Sequence, residues 1–282
     1  MLKDINRKVL KKVNGKAAVD GNGVHLVRVL GNNTAKSFDP ILMLDSFDSR
    51  DPKDYIGGFP MHPHRGIETI TFLKEGKMKH KDSLGNEDVI TGGSVQWMTA
   101  GSGIFHEEEI PAADRMLGVQ IWLNLPAREK MTDPEYYNIR EEDITQLDLD
   151  GGYLRVISGD YKDIHAFQAK HSPLKFYHLY LEKGKEIILD DITEASLMAF
   201  TLQGNVEINS EYIEEKTAVK FSEKGNLEIK AKTDADILIL ASEPLKEDIY
   251  WGGPVVMDTR KGLEKAFEEM RSGNFIKKNI EY

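Results

Sequence analysis

Two short segments of the chain carry side chains whose types and spacing suit metal binding. The first contains His62 and His64, and the second contains His106 and Glu108. Residues two apart on a β-strand point to the same face, so each segment would present two ligating groups side by side. Two such strands facing each other would supply three imidazoles and one carboxylate. This donor set suits iron(II), manganese, cobalt, nickel, copper or zinc, and the absence of cysteine excludes sulfur ligands.

Two glutamates are candidates for the carboxylate ligand. Glu108 is the middle of three consecutive glutamates, and strand alternation puts it on the face of His106 while turning its two neighbours away. Glu68 is an alternative, because it shares its parity with the first histidine pair. It would either bind the metal directly or accept a hydrogen bond that orients a ligand imidazole. From parity alone both glutamates stay open.

Other polar residues near these segments have simpler interpretations. Arg65 follows the first histidine pair but faces the other way, which favours a structural salt bridge. The remaining histidines have no partner at ligand spacing, and we interpret them as ordinary polar residues; they are His25, His80, His165, His171 and His178. No His-x-His or His-x-Glu pattern occurs after Glu108. One metal site per chain is therefore predicted.

The segments that must position these residues read as β-strands. Runs of β-branched and aromatic residues recur between glycine, aspartate and asparagine turns, a pattern typical of antiparallel sandwiches or barrels. The clearest runs are Val24 to Val29, Glu68 to Leu73, Gly118 to Leu125, Leu154 to Ser158, Phe176 to Leu181, Leu197 to Leu202 and Ile237 to Ala241. One helix is predicted over Leu263 to Met270, with Asp258 or Thr259 as its cap, and Ala127 to Met131 fits a short turn. The fold class is therefore all-β.

The chain also shows a weak internal repeat. The run from Ile70 to Gly76 and the run from Ala199 to Asn205 are each followed by a charged turn and further strands. A duplicated β-domain explains this pattern. A polar stretch between Arg128 and Leu149 marks the boundary. We therefore predict a metal-binding domain over 1–135 and a domain without metal over 136–282 that ends in the helix.

Composition limits the classes of partner. The chain has 282 residues, enough for about two domains, and a formal net charge of −10, which disfavours a nucleic-acid duplex or an anionic membrane surface as partner. The lysine-rich start does not resemble a signal peptide, and no apolar run is long enough to span a bilayer. A cytoplasmic protein is expected, and an acidic chain with a short terminal helix fits a monomer.

Several of these motifs together resemble the pirin family of the cupin superfamily. The segment from Phe59 to Thr69, FPMHPHRGIET, resembles the most characteristic stretch of the family, and the segment from Val95 to His106, VQWMTAGSGIFH, resembles its second. The likeness continues in DGNGV at 20–24, FDPILMLD at 38–45 and PVVMDTR at 254–260. It therefore spans the chain and is more specific than a general cupin match.

The resemblance implies a bicupin of two stacked antiparallel β-barrel, or jelly-roll, domains with iron(II) in the N-terminal one. The ligands of the family fall on His62, His64, His106 and Glu108 of this chain. The resemblance also favours a hydrogen-bonding role for Glu68 over direct ligation. The chain departs from many relatives in the acidic run after His106, which leaves the preferred metal open.

The family resemblance also implies a function. Some pirins are similar in activity to quercetin 2,3-dioxygenases, which open the central ring of a flavonol with O2 and release carbon monoxide. In this interpretation Glu108 is a ligand in the resting state and the general base toward the flavonol 3-hydroxyl. The alternative is a non-enzymatic, iron-dependent regulator that binds a transcription factor or a metabolic enzyme. A purely structural metal site is a third alternative.

Overall fold

The computed structural model describes residues 5–278, which form antiparallel β-sheets and one α-helix. In chain order the strands are β1 (Val9–Asn14), β2 (Lys16–Asp20), β3 (Val24–Leu30), β4 (Ile41–Ser49), β5 (Phe59–His64), β6 (Ile67–Glu75), β7 (Lys77–Asp82), β8 (Glu87–Thr91), β9 (Val95–Thr99), β10 (Ile104–Glu109), β11 (Met116–Asn124), β12 (Glu135–Ile139), β13 (Thr145–Leu149), β14 (Gly152–Ser158), β15 (Asp160–Tyr161), β16 (Ile164–His165), β17 (Lys175–Leu181), β18 (Glu186–Leu189), β19 (Ser196–Gln203), β20 (Val206–Ile208), β21 (Glu211–Ile213), β22 (Thr217–Phe221), β23 (Leu227–Ala231), β24 (Ala235–Ser242), β25 (Tyr250–Gly252) and β26 (Val255–Met257). The helix α1 covers Arg260–Arg271. No helix among residues 5–278 is long and apolar enough to cross a membrane.

The contacts divide the described chain into two compact units. The histidine unit comprises residues 17–32, 41–141 and 245–278, and the companion unit comprises residues 5–16, 33–40 and 142–244. The linear division predicted from the sequence, 1–135 and 136–282, differs from these units at both ends of the chain. β1 pairs with β22 of the companion unit, whereas α1 belongs with the histidine unit. Local patterns show that a strand forms, but not which distant sheet edge it joins.

The histidine unit is built from two sheets of unequal size. The larger sheet has the strand order β12-β9-β6-β11-β4-β3-β2, and the smaller has the order β5-β10-β7-β8. Burial along β7 alternates strictly, with Met78, His80 and Asp82 turned inward. This period of two is what a sheet with one buried face requires. The inward residues of the unit therefore include polar side chains as well as apolar ones.

The companion unit repeats this strand order. Its sheets run β1-β22-β19-β24-β17-β14-β13 and β18-β23-β20-β21, so β18 and β23 take the positions of β5 and β10. The predicted internal duplication is confirmed at the level of topology. Where β5 and β10 place His62 opposite His106, β18 and β23 place Ile187 opposite Ile229. The interior of this unit is an aliphatic and aromatic core.

The predicted secondary structure agrees closely with the observed elements. Each predicted strand segment lies in an observed strand, except that β11 ends at Asn124, before the predicted end at Leu125. Ala127–Glu129 forms a 3-10 turn within the short turn that we predicted. The helix begins after Thr259, whose hydroxyl accepts a hydrogen bond from the Gly262 amide at 3.0 Å. This N-cap satisfies one of the free amides of the first turn. The all-β fold class with a short terminal helix is confirmed.

Candidate metal centre

The paired strands β5 and β10 bring the three histidines together. His62 lies directly opposite His106, and His64 lies opposite Ile104. The ring centroids are 4.3 Å apart for His62 and His106, 4.8 Å for His62 and His64, and 5.0 Å for His64 and His106. One ring nitrogen from each residue lies within 4.8 Å of the other two. The three imidazoles therefore converge as their spacing predicted.

Backbone carbonyls orient two of these rings. Nδ1 of His62 is 2.9 Å from the Pro60 carbonyl oxygen, and Nδ1 of His64 is 3.2 Å from that of Pro254. A carbonyl only accepts hydrogen bonds, so each Nδ1 donates, and in the neutral imidazole each Nε2 then keeps its lone pair. The two Nε2 atoms lie 3.1 Å apart. Two lone pairs at this distance repel each other, and a cation bound by both nitrogens would remove this repulsion.

His106 gives independent support for a cation at this point. Its side chain is fully buried, and both ring nitrogens are without a hydrogen-bond partner among the described residues. A buried polar group without a partner is costly and calls for an explanation such as a bound ion. Burial, together with the nearby imidazoles, keeps the pKa of His106 well below its ordinary value and lowers that of His64 to about 3. Both rings are therefore neutral at pH 7, the form that binds metals. The site fits a divalent ion.

Glu108 lies on the same wall of the barrel, as strand alternation predicted. It is buried, whereas Glu109 is exposed. Two amides hold its oxygens: Gln96 Nε2 donates to Oε1 and Gln120 Nε2 donates to Oε2, each at 3.3 Å. Burial raises the pKa of Glu108, while His62, His80 and the two amides act in the opposite direction. The carboxylate is thus buried but kept in place by donors that favour its ionised form.

The two amides belong to a polar row across the larger sheet. Register places Gln96 opposite Thr71, Thr71 opposite Gln120, and Gln120 opposite Asp45. Arg28 on β3 lies opposite Asp45 and ends the row. Directly opposed residues of antiparallel strands share a face and contact one another. Sequence reasoning missed this row, although single glutamines inside the apolar runs of β9 and β11 were a usable signal.

A buried histidine that we had interpreted as an ordinary polar residue adjoins the centre. The His80 ring lies 5.4 Å from the His106 ring and stacks on Tyr136 at 4.5 Å. Its Nδ1 accepts from Gln96 at 3.3 Å, and its Nε2 donates to Asp82 at 3.1 Å. A continuous hydrogen-bonded chain therefore runs from Glu108 through Gln96 to His80 and Asp82. The spacing of His80 and Asp82 on one strand face was the available signal.

The prediction that Glu68 accepts a hydrogen bond from a ligand imidazole is wrong. Its oxygen accepts from the Thr99 hydroxyl at 2.8 Å, and the acceptors of the ligand rings are the carbonyls of Pro60 and Pro254 instead. Glu68 follows the turn at Gly66, whose φ is +77°, so it lies on β6 in the other sheet. On β6 it has the opposite parity to Thr71, and it therefore faces away from the centre. Residues an even number of positions from His62 share its face only on the same uninterrupted strand.

Arg65 is structural, as predicted. The guanidinium is 2% exposed and donates to the Ser102 carbonyl at 2.7 Å, to Glu269 at 2.8 Å and to the Phe275 carbonyl at 2.6 Å. These hydrogen bonds hold α1 and the residues after it next to β5. Pro254, which orients His64, lies before α1 in the last part of the histidine unit, residues 245–278, which we call the C-terminal segment. The C-terminal segment thus helps to position histidines that lie far earlier in the chain.

A cavity of about 660 Å³ opens onto the centre. Its lining includes His62, His64 and Glu108 together with the aromatic residues Phe47, Phe59, Trp122 and Trp251. The Trp122 ring lies 4.9 Å from His64 and 5.6 Å from Trp251. An apolar, aromatic cavity with a few convergent polar groups is typical of a site for a small molecule. His62 and His64 therefore border a space that a planar aromatic molecule could enter.

Comparison with known proteins gives the family. Residues 23–123 match the family model described as Pirin, and residues 176–276 match the Pirin C-terminal cupin domain. A pirin-like protein of Caulobacter vibrioides is 42% identical over 95% of this chain and 99% of its own length. The crystal structure of a quercetin 2,3-dioxygenase from Acinetobacter baumannii is 33% identical with a TM-score of 0.89, covering 96% of this chain and 99% of that one.

A more distant structure agrees in fold alone. It is a bacterial pirin from Escherichia coli in complex with nickel(II), 22% identical with a TM-score of 0.64, covering 83% of this chain and 99% of that one. The sequence motifs, the repeated strand topology of the two units and the matches along the whole chain agree with one another. The chain belongs to the pirin family and has the bicupin fold.

Proposed function

We propose that this chain is a metal-dependent dioxygenase that opens the ring of a flavonol such as quercetin with O2 and releases carbon monoxide. The observation that supports the proposal best is the convergence of His62, His64 and His106 at an aromatic cavity whose lining includes His62, His64 and Glu108. The A. baumannii relative, named as a quercetin 2,3-dioxygenase and 33% identical to this chain, supports the same activity.

We propose His62, His64, His106 and Glu108 as the ligands, and iron(II) as the metal. The donor set of three nitrogens and one oxygen also suits manganese, cobalt, nickel, copper and zinc. When bound, such an ion supplies Lewis acidity toward a deprotonated hydroxyl and, for iron, one-electron chemistry toward oxygen. The carbonyls of Pro60 and Pro254 fix the rings of His62 and His64 through Nδ1, so that the Nε2 atoms would be free to bind the ion.

Glu108 is the proposed general base. It lines the cavity and lies two residues after His106 on the same strand, and its burial raises its pKa and so its basicity. It would take the proton of the flavonol 3-hydroxyl, and the amides of Gln96 and Gln120 would hold it in position. Trp122 and Trp251 would bind the flat rings and exclude water. Proton transfer by a positioned base contributes on the order of a hundredfold or more to the rate.

Oxygen consumption tests the proposal. Iron-loaded protein should consume O2 and release carbon monoxide when quercetin is added, in equal amounts to the quercetin that disappears. Protein in which His62 and His106 are both alanine is the matched control and should do neither. If the iron-loaded parent leaves quercetin unchanged, the proposed activity is wrong, and a regulator that binds a protein partner becomes the leading alternative.

A further inference from the structure

A charged cluster, which we call the Arg28 cluster, lies on the cavity wall apart from the proposed ligands. It consists of Arg28, Asp45 and Asp20, and all three residues line the same cavity as His62 and Glu108. Arg28 Nε donates to Asp45 Oδ1 at 2.9 Å, and Nη2 donates to Asp45 Oδ2 and to Asp20 Oδ2, both at 2.7 Å. The guanidinium is therefore fixed by two carboxylates.

The Arg28 cluster is attached to the metal centre through the larger sheet. Asp45 lies opposite Gln120, which donates to Glu108. The Asp45 side chain is 4% exposed and the Asp20 side chain is 52% exposed. The cluster therefore extends from the polar row beneath Glu108 to a half-exposed carboxylate at the cavity wall. A molecule bound in this cavity can contact this carboxylate.

The unused hydrogen-bonding groups of the cluster define what it can bind. Arg28 Nη1 has no hydrogen-bond partner among the described residues, so its two N–H groups are unused. Asp20 accepts from Arg28 on Oδ2 and from the Gly21 amide on Oδ1 at 2.8 Å, which leaves lone pairs on both oxygens. A hydroxyl group both donates and accepts, and it matches an acceptor beside a donor. A carboxylate or sulfonate only accepts and would lie next to two negative charges against one positive charge.

We infer that Asp20, held in place by Arg28, is a specificity-determining residue that accepts a hydrogen bond from a phenolic hydroxyl of the ligand and disfavours anionic substituents. The inference rests on the proposed function, because it assumes an aromatic ligand in this cavity. It concerns the hydroxyls other than the one proposed to face the metal. Asp20 selects among flavonols, whereas the histidines and Glu108 act on the group that all flavonols share.

Two substitutions of Asp20 test whether it accepts this hydrogen bond. Asp20→Ala removes the acceptor, and Asp20→Asn keeps an acceptor oxygen but removes the charge. In both variants the two bonds from Arg28 to Asp45 keep the guanidinium in place. Asp48→Ala is the matched control. Asp48 lies on the same strand as Asp45 with the opposite parity, and it pairs with Arg115 at 2.8 Å away from the cavity lining.

Binding is measured without turnover, by titrating iron-loaded protein under nitrogen and following the absorbance of the flavonol. The ligands are 3-hydroxyflavone, which has only the 3-hydroxyl, quercetin, which has four more, and a ring-sulfonated quercetin. The parent should bind quercetin more tightly than 3-hydroxyflavone. In Asp20→Ala this preference should fall about five- to tenfold, since a hydrogen bond to a charged acceptor is lost at a half-exposed site. The affinity for 3-hydroxyflavone should stay within about twofold.

Asp20→Asn should keep most of the preference for quercetin and bind the sulfonated ligand about fivefold more tightly than the parent does, because one repulsive charge is removed. Asp48→Ala should behave as the parent with all three ligands. An unchanged preference in Asp20→Ala, with both flavonols still bound, overturns the inference and leaves the proposed function intact. A parent that binds none of the three flavonols overturns both.

Discussion

Gln120 donates its Nε2 hydrogen to Glu108 Oε2 over 3.3 Å, while its own Oε1 accepts from the Thr71 hydroxyl at 2.6 Å. The Thr71 bond fixes which end of the amide faces the carboxylate, because rotating the amide would place two oxygens against each other. Gln96 makes the same donation to Oε1 from β9. Burial alone favours a neutral Glu108, and the two donors favour the ionised form that a cation needs.

Replacing Gln120 should therefore weaken the centre without removing a ligand. In Gln120→Leu, Glu108 loses one of its two donors and is held less firmly. We expect the metal dissociation constant to rise roughly ten- to a hundredfold, the usual effect of removing a group that orients a ligand. Competition with a coloured chelator measures this constant. Gln146→Leu, on an exposed position of β13, is the control and should bind metal as the parent does. Equal affinities in the two variants would show that Gln120 does not support Glu108.

The ligand assignment predicts one metal per chain. His62→Ala with His106→Ala removes two of the three converging imidazoles, so elemental analysis after dialysis should find no stoichiometric metal. A protein with His25→Ala and His165→Ala, both on exposed side chains, should keep its metal. The companion unit has Ile187 and Ile229 in the corresponding strand pair, so one anomalous peak is expected per chain. Full metal content in the first variant would refute the assignment.

The part of the centre that could be predicted from the sequence is the part that rests on local geometry. His62 with His64 and His106 with Glu108 are each two apart on one strand, and alternation is enough to place them on one face. The supports of these residues come from elsewhere in the chain. Gln120 is on β11, and Pro254 lies between the last two strands. Nothing in a local pattern indicates which distant strands meet, so these contacts became visible only in the fold.

The error over Glu68 has a local cause. Its parity with His62 would hold on an unbroken strand, but the chain turns at Gly66, where an added Cβ would lie 1.9 Å from the Val256 carbonyl oxygen. Only glycine fits this close approach. The turn separates β5 from β6 and moves Glu68 to the other sheet. A glycine between two candidate ligands thus indicates that the strand can end there, so that residues on either side need not share a face.

Glu68 should affect the pH dependence of stability. Burial raises its pKa from 4.5 to about 7. Between these values the folded chain keeps the proton and the unfolded chain has lost it, so the free energy of unfolding falls as the pH rises through this window. Over the full window the effect is roughly 3 kcal/mol.

Glu68→Gln removes this titration. Urea unfolding at pH 4.5 and at pH 7.5 should therefore show the variant gaining about 3 kcal/mol relative to the parent at the higher pH. Metal content should be unchanged, because Glu68 faces away from the centre. Glu109→Gln, on an exposed side chain, should follow the parent at both pH values. If Glu68→Gln and the parent have parallel pH profiles, the buried carboxyl does not titrate in this window.

Arg65 should couple stability to the metal centre. Its three guanidinium nitrogens each hold a different acceptor, and its carbon lies 4.2 Å from the Phe275 ring centroid. Lysine has one nitrogen and reaches at most part of this set. Arg65→Lys should lower the free energy of unfolding by on the order of 3 kcal/mol. Metal affinity should also fall, because a loosened C-terminal segment no longer holds the Pro254 carbonyl against His64. Arg260→Lys, exposed on α1, is the control. A stable Arg65→Lys variant with normal metal affinity would contradict this coupling.

Glu108→Gln should separate metal binding from catalysis. Glutamine keeps the shape and one oxygen donor, but it loses the charge and the basicity needed to take the flavonol proton. Three imidazoles remain, so the metal should still bind, about ten- to a hundredfold more weakly. At saturating iron, turnover of quercetin should fall on the order of a hundredfold or more, the usual contribution of a positioned base. Oxygen consumption at matched metal occupancy measures the difference. Turnover at the parental rate by the iron-saturated variant would exclude Glu108 as the base and leave it as a ligand alone.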